Sequence, residues 1–140
     1  MSADGSPVPD ERDVLRLPKP PPLFVPEEYV PQWQDFEPST QEKAITPVRI
    51  SVWDSSLTTA DEARAFMHRP SIVVAGNVAA VKQAGSGAIV YEAIPPPDDT
   101  RPGAAGHSGI EGMTQAPGET KKGRLDRITR IASCFQLVSR

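Results

Sequence analysis

The sequence predicts an α+β fold: a small mixed sheet of about three strands with two helices, preceded by an extended proline-rich N-terminal arm. Three observations lead to this expectation. Nine of the first forty residues are proline, the middle of the chain is almost free of proline, and short β-branched segments there alternate with helical patterns. The 140 residues are enough for one small domain, and no motif identifies a known family.

Residues 1–44 are predicted to form the arm, partly disordered when free. The prolines of residues 18–22 favour polyproline II geometry. Large apolar side chains lie between the prolines, whereas a solvated proline-rich tail normally lacks them. We therefore expect the arm to wrap its own domain, a second copy or a protein partner. Its partner-binding anchors would be four aromatic residues: Phe24, Tyr29, Trp33 and Phe36.

Residues 45–94 and 123–140 are predicted to form the α+β domain. The segment 47–54 alternates apolar and polar side chains and predicts a strand. Thr59 and Glu62 have the spacing of a capping box and predict a helix that ends before Pro70.

Shorter sequence patterns predict the remaining strands and helices of the domain. Residues 71–75 are apolar and β-branched and predict a second strand, and Asn77 is a candidate cap for a short helix over 77–83. Residues 88–94 predict a third strand, ended by prolines. Residues 95–122 are expected to be a Gly/Pro-rich loop, and the apolar spacing over 124–138 predicts an amphipathic C-terminal helix.

Charge is unevenly distributed along the chain. The net charge of −3 implies no general affinity for nucleic acid. Residues 121–140, however, contain six basic side chains and one acidic one. A solvated helix face is the ordinary explanation. Weak contact with nucleic acid is an alternative, and its candidate residues are Arg124, Arg127 and Arg130.

The segment around His107 is the most suggestive place for chemistry. It contains an imidazole, a hydroxyl and a carboxylate within five residues on a glycine-rich backbone. The candidate catalytic residues are Arg49, His107 and Glu111. Arg49, Ser51 and Glu111 are also the residue types that serve ADP-ribosyl transfer. Asp54 and the serines after it are interpreted as ordinary turn residues.

The function favoured by these patterns is a non-enzymatic accessory or interaction subunit that contacts a protein partner or another copy through its arm. One alternative is a small transferase or hydrolase around His107, and another is a weak nucleic-acid binder. No cofactor and no metal are expected. The single cysteine excludes an internal disulfide, and the absence of a basic leader or a long apolar stretch predicts a cytoplasmic protein without membrane contact.

Overall fold

The computed structural model describes residues 5–18, 29–68, 72–92 and 102–139, and the fold below is that of these residues. They contain six strands: β1 (Asp13–Arg16), β2 (Arg49–Asp54), β3 (Val73–Asn77), β4 (Ile89–Tyr91), β5 (His107–Glu111) and β6 (Phe135–Ser139). They also contain four α-helices: α1 (Thr40–Lys43), α2 (Ala60–Met67), α3 (Val78–Ala84) and α4 (Lys121–Ala132). The strands form one antiparallel sheet in the order β4-β5-β2-β1-β3-β6.

The fold is α+β, but the predicted mixed sheet of about three strands with two helices is wrong. The described residues form six strands and four α-helices, and all their strand pairings are antiparallel. Side-chain alternation predicted β2, and short apolar segments bounded by prolines or a turn predicted strands that overlap β3 and β4. The other three strands were missed because each lies in a segment whose composition indicated an arm, a loop or a helix.

β1 comes from the predicted arm and lies in the centre of the sheet, between β2 and β3. Val14 lies opposite Asp54 on one side and Gly76 on the other. Val14 and Leu15 are both buried. Residues 10–17 contain no proline, so every backbone N–H in this stretch is available for pairing. This part of the arm is therefore a structural strand of the domain.

Residues 5–8 run along the outer side of β4. The N–H groups of Gly5 and Val8 donate to carbonyl groups of β4 at 3.0 and 2.9 Å. Pro7 forms an isolated bridge with Val90, and an edge position suits a residue that has no N–H to donate. The N-terminal segment thus covers a strand edge that would otherwise expose unpaired backbone groups.

β5 lies inside the predicted loop 95–122, so the loop prediction is wrong for residues 107–111. Its glycines suggested irregular structure, but Gly109 has a packing role within the strand. A Cβ atom at Gly109 would lie 2.8 Å from Cβ and Cδ of Arg49. Glycine is required there because the Arg49 side chain crosses the backbone at close range.

The C-terminal helix ends at Ala132 rather than at residue 138. Thr120 begins α4 by accepting a hydrogen bond from the Gly123 N–H at 2.9 Å. After the helix, β6 pairs with β3 and places Phe135 opposite Gly76. The apolar spacing of the helix continues through Phe135, which is why the pattern predicted a longer helix; pairing with β3 overrides that local preference.

Helices cover both faces of the sheet. α3, α4 and a 3₁₀ turn over Trp33–Phe36 lie over the larger core, which includes Val14, Ile50, Val52, Val74, Ile110 and Ile128. α2 lies over the opposite face, where the smaller core consists of Leu15, Leu17, Trp53, Ala63 and Val73. Residues from all three predicted segments contribute strands to this one sheet. The second face continues beyond α2 onto β4 and β5, and there it is polar.

Candidate functional site

Polar side chains from three neighbouring strands meet on the second sheet face. Arg49 and Ser51 alternate along β2 with residues of the larger core. The register between β2 and β5 puts Glu111 opposite Arg49, and His107 begins the same strand. Glu92 directly follows β4, and its N–H donates to the His107 carbonyl at 3.0 Å. The sheet therefore assembles this group from residues far apart in sequence.

The guanidinium group of Arg49 bridges two carboxylates. Its Nε and Nη2 each lie 2.9 Å from Oε2 of Glu111, and its Nη1 lies 3.0 Å from Oε1 of Glu92. Burial alone would lower the pKa of Arg49, but the hydrogen bonds and charges of Glu111 and Glu92 outweigh burial and raise that pKa. The group is thus a fixed cation whose charge is balanced by its neighbours.

The imidazole of His107 lies beside a hydroxyl group and against two aromatic rings. Its Nε2 is 3.2 Å from Oγ of Ser51. Its ring centroid is 5.5 Å from that of Trp53 and 4.7 Å from that of Phe66 on α2. These two rings restrict the orientation of the imidazole, so Nε2 stays within hydrogen-bond distance of Ser51.

Two charged side chains hold the backbone of Ser51. β1 ends at Arg16, one residue short of the position opposite Ser51. The Ser51 N–H instead donates to Oε2 of Glu42 at 2.8 Å, and its carbonyl accepts from Nη1 of Arg16 at 2.9 Å. Burial would raise the pKa of Glu42, but Arg16 and the hydrogen bonds from Ser39 and Ser51 outweigh burial and lower that pKa.

A pocket of about 210 Å³ opens between these side chains and the residues that follow α1. The sheet face contributes four polar side chains to its lining: Arg49, Ser51, Glu92 and His107. Gln41 and Glu42 of α1 and Thr46 add further polar groups. Ile45 and Pro47 contribute an apolar wall. The Ile45 side chain is 68% exposed although it is apolar, so a bound molecule would shield it from water.

The three candidate catalytic residues predicted from the sequence share one sheet face. Arg49 contacts Glu111 directly, and His107 lies four residues from Glu111 on the same side of β5. Sequence reasoning missed Glu92 and Glu42. Glu42 had a usable signal, because it lies three residues after a serine and forms a capping box with it.

Three of the four aromatic residues predicted to bind a partner lie in the chain's own core or pack against it. Phe36 is fully buried, and its ring centroid is 4.6 Å from that of Phe135. Tyr29 and Trp33 are half-buried against the same cluster. Phe24 lies outside the described residues. The described anchors therefore complete the fold of this chain.

Two of the three arginines predicted to contact nucleic acid are engaged within the protein. Arg127 donates to three backbone carbonyls and to both carboxylate oxygens of Glu119, at 2.8 and 2.9 Å. Arg124 donates to the Met113 carbonyl at 2.7 Å. Arg130 is exposed on α4. Binding of phosphate by all three would require Arg124 and Arg127 to give up contacts that hold the segment before α4.

A second polar cluster lies at the end of β2 and does not line the pocket. Asp54 is fully buried and accepts hydrogen bonds from the Tyr91 hydroxyl, from Arg12 at 2.8 Å and from the Ser56 N–H at 2.9 Å. Burial raises the pKa of Tyr91 to about 12, assisted by the Asp54 charge. The cluster joins the N-terminal segment and β4 to β2, so Asp54 has a larger structural role than the predicted turn.

Comparison with known proteins finds no matching family model, no similar curated protein and no similar solved structure. Within the described ranges, no group of three or more His, Cys, Asp or Glu side chains is arranged to hold a metal ion. None of the helices in that same part of the chain is both long and apolar enough to cross a membrane. The pocket and its side chains are therefore the main indication of function.

Proposed function

We propose that the protein binds a small molecule in the pocket formed by β2, β4, β5 and the residues after α1. The observation that carries this proposal is the convergence of Arg49, Ser51, Glu92 and His107 on one pocket of about 210 Å³. Small-molecule sites typically combine apolar walls with a few fixed polar groups that orient the ligand. This arrangement favours a site around His107, where the sequence analysis placed its alternative of a small transferase or hydrolase, over an arm that docks through its aromatic residues.

The charges in the pocket favour a neutral ligand with a hydrogen-bonding group. Arg49 is already paired with Glu92 and Glu111, so a polyphosphate or other strongly anionic ligand would meet uncompensated negative charge. Ser51 and His107 offer hydrogen bonds to an amide, ester or alcohol. An apolar portion of the same ligand would cover the exposed Ile45 side chain.

A fragment library of neutral amides, esters and alcohols tests this proposal by NMR. We expect ¹H–¹⁵N shift changes that cluster at the backbone amides of β2 and β5 around Ser51. Ile45→Ser should weaken the best fragment about tenfold, which corresponds to the loss of about 1.4 kcal/mol of apolar contact. Leu125→Ser, which changes a 37% exposed residue on α4, is the matched control and should leave affinity unchanged.

Three results would contradict the proposal. Fragments that shift amides elsewhere on the chain, or an affinity that Ile45→Ser leaves equal to that of Leu125→Ser, would assign the binding to another surface. A complete absence of shifts at millimolar fragment concentration would leave the pocket without a ligand of the proposed class.

Partner binding through the proline-rich residues 19–28 is a second candidate function. The observation that favours it is that the chain packs on both sides of this segment, since Pro18 is buried and Tyr29 is half-buried. Phe24 is then the remaining aromatic anchor for a protein partner or a second copy, and proline stiffness lowers the entropy lost on binding. Phe24→Ala should reduce co-purification of a partner or the oligomeric mass, with Val30→Ala as the control. Equal results for both variants would contradict this candidate.

Both candidates include a cytoplasmic location as part of the proposal. Cys134 is a free, half-buried cysteine, and disulfide-free proteins are typical of reducing compartments. Cell fractionation checks this assignment, and recovery of the protein in a secreted or membrane fraction would contradict it.

A further inference from the structure

We infer that Ser51 and His107 form a nucleophile and general-base pair that hydrolyses small neutral esters. This inference rests on the proposed binding of a small molecule in the same pocket. The inference is based on the distance of 3.2 Å between Ser51 Oγ and His107 Nε2. Both residues line the pocket. A serine hydroxyl becomes an effective nucleophile when a base within about 2.6–3.2 Å accepts its proton.

Both members of the pair are held in place by the surrounding structure. The Ser51 backbone is fixed by Glu42 and Arg16, so its hydroxyl projects from a rigid strand. The His107 ring packs against Trp53 and Phe66 on the same face of the sheet. Catalytic groups act efficiently when packing and hydrogen bonds hold them before substrate arrives.

The reaction needs only an ester and water. Ser51 Oγ attacks the carbonyl carbon of the ester while its proton passes to Nε2 of His107. The bond from that carbon to the alcohol oxygen then breaks, and the alcohol leaves with the proton. Water attacks the acylated Ser51, His107 takes a proton from the water and returns it to Ser51 Oγ, and a carboxylic acid is released.

Arg49 supplies hydrogen-bond donors for the oxyanion of the tetrahedral intermediate, because its charge is already balanced by Glu92 and Glu111. It lies two residues before Ser51 on the same face of β2 and lines the same pocket. Three of its five N–H groups are directed at Glu111 and Glu92, so two donors are left over by these ion pairs. Fixed donors aimed at a developing oxyanion stabilise the transition state more than the substrate.

Two probes test the pair: p-nitrophenyl acetate as the ester and a fluorophosphonate as a serine-reactive label. In the wild-type protein, we expect peptide mass spectrometry to find the phosphonyl adduct on Ser51. Ser51→Ala and His107→Gln should each lower p-nitrophenyl acetate hydrolysis by roughly 10²-fold or more. The matched controls Ser55→Ala and His68→Gln change exposed residues and should retain the wild-type rate.

The possible results separate this inference from the proposed function. An adduct on another serine, or hydrolysis by Ser51→Ala at the wild-type rate, overturns the inference. If fragments bind the pocket but Ser51 is neither labelled nor needed for hydrolysis, the binding function stands and the inference falls. Labelling of the wild-type protein requires no variant, so misfolding of Ser51→Ala or His107→Gln leaves the inference testable.

Discussion

Replacing Phe36 with alanine is expected to lower the free energy of unfolding by about 3–5 kcal/mol. The Phe36 side chain is fully buried and lies against Phe135 with 4.6 Å between ring centroids. Removing a ring that buries roughly 150 Å² costs about 4 kcal/mol at about 25 cal/mol per Å². The lost ring pair adds about 0.5–1.5 kcal/mol, and partial collapse of the cavity offsets a similar amount.

Urea titration followed by circular dichroism measures this change. For a domain of this size, the melting temperature should fall by about 10–20 °C. The control is Val30→Ala, because Val30 lies in the same segment but is 67% exposed, and its change should stay within about 0.5 kcal/mol. Phe36→Leu, expected to cost about 1–2 kcal/mol, gives a measurable value if the alanine variant is largely unfolded.

The opposite result would refute the reasoning. If Phe36→Ala costs less than about 1 kcal/mol while it abolishes binding of a partner, the aromatic residues of the arm are docking groups and not part of the core. Deletion of residues 1–38 cannot make this distinction, because it also removes the central strand β1.

Three further predictions follow from buried or paired polar groups and from one glycine. Tyr91→Phe should lower the free energy of unfolding by about 1–3 kcal/mol, measured in urea, because it removes a hydrogen bond to buried Asp54; no loss would contradict the role of this cluster. Hydrogen bonds from Arg127 and from the Ala116 N–H, together with the charges of nearby arginines, hold the pKa of Glu119 at about 2, below its ordinary value of 4.5. The stabilisation from this carboxylate is therefore present above about pH 4.5 and lost as the pH falls towards 2, so urea midpoints of the wild type should drop more over that range than those of Glu119→Gln; parallel curves would argue against it. Gly109→Ala should cost about 1–3 kcal/mol and abolish fragment binding, since its Cβ would lie 2.8 Å from Arg49; unchanged NMR shifts on fragment addition would count against the close approach.

Local sequence patterns predicted those elements whose stabilising hydrogen bonds join residues close together in the sequence. The capping box of Thr59 and Glu62 begins α2, and the cap at Asn77 begins α3, because both bonds form within four residues. The alternation over residues 47–54 predicted β2 because one face of that strand is covered by the larger core and its alternate residues point away from that core.

The missed strands depend on partners distant in sequence. β1 is only four residues long, and its surroundings are dominated by proline, so its central position becomes visible only through its pairing with β2 and β3. The candidate site likewise depends on contacts between residues that are distant in sequence. The sequence indicated Arg49, His107 and Glu111 as candidates, but the contact between Ser51 and His107 spans 56 residues and depends on the register of β2 with β5. No pattern within a short stretch of sequence predicts how β2 and β5 are paired.

The arm also positions the candidate site. Arg16, the last residue of β1, is buried and donates to the carbonyls of Asp35 at 3.0 Å and of Ser51 at 2.9 Å. It therefore ties the 3₁₀ turn that contains Phe36 to the strand that carries the proposed nucleophile. A charge this buried is retained only when its hydrogen bonds compensate for lost hydration. Because one of these bonds ends at the Ser51 carbonyl and the other at Asp35 in the 3₁₀ turn, disturbing the arm should alter both the core and the geometry between Ser51 and His107.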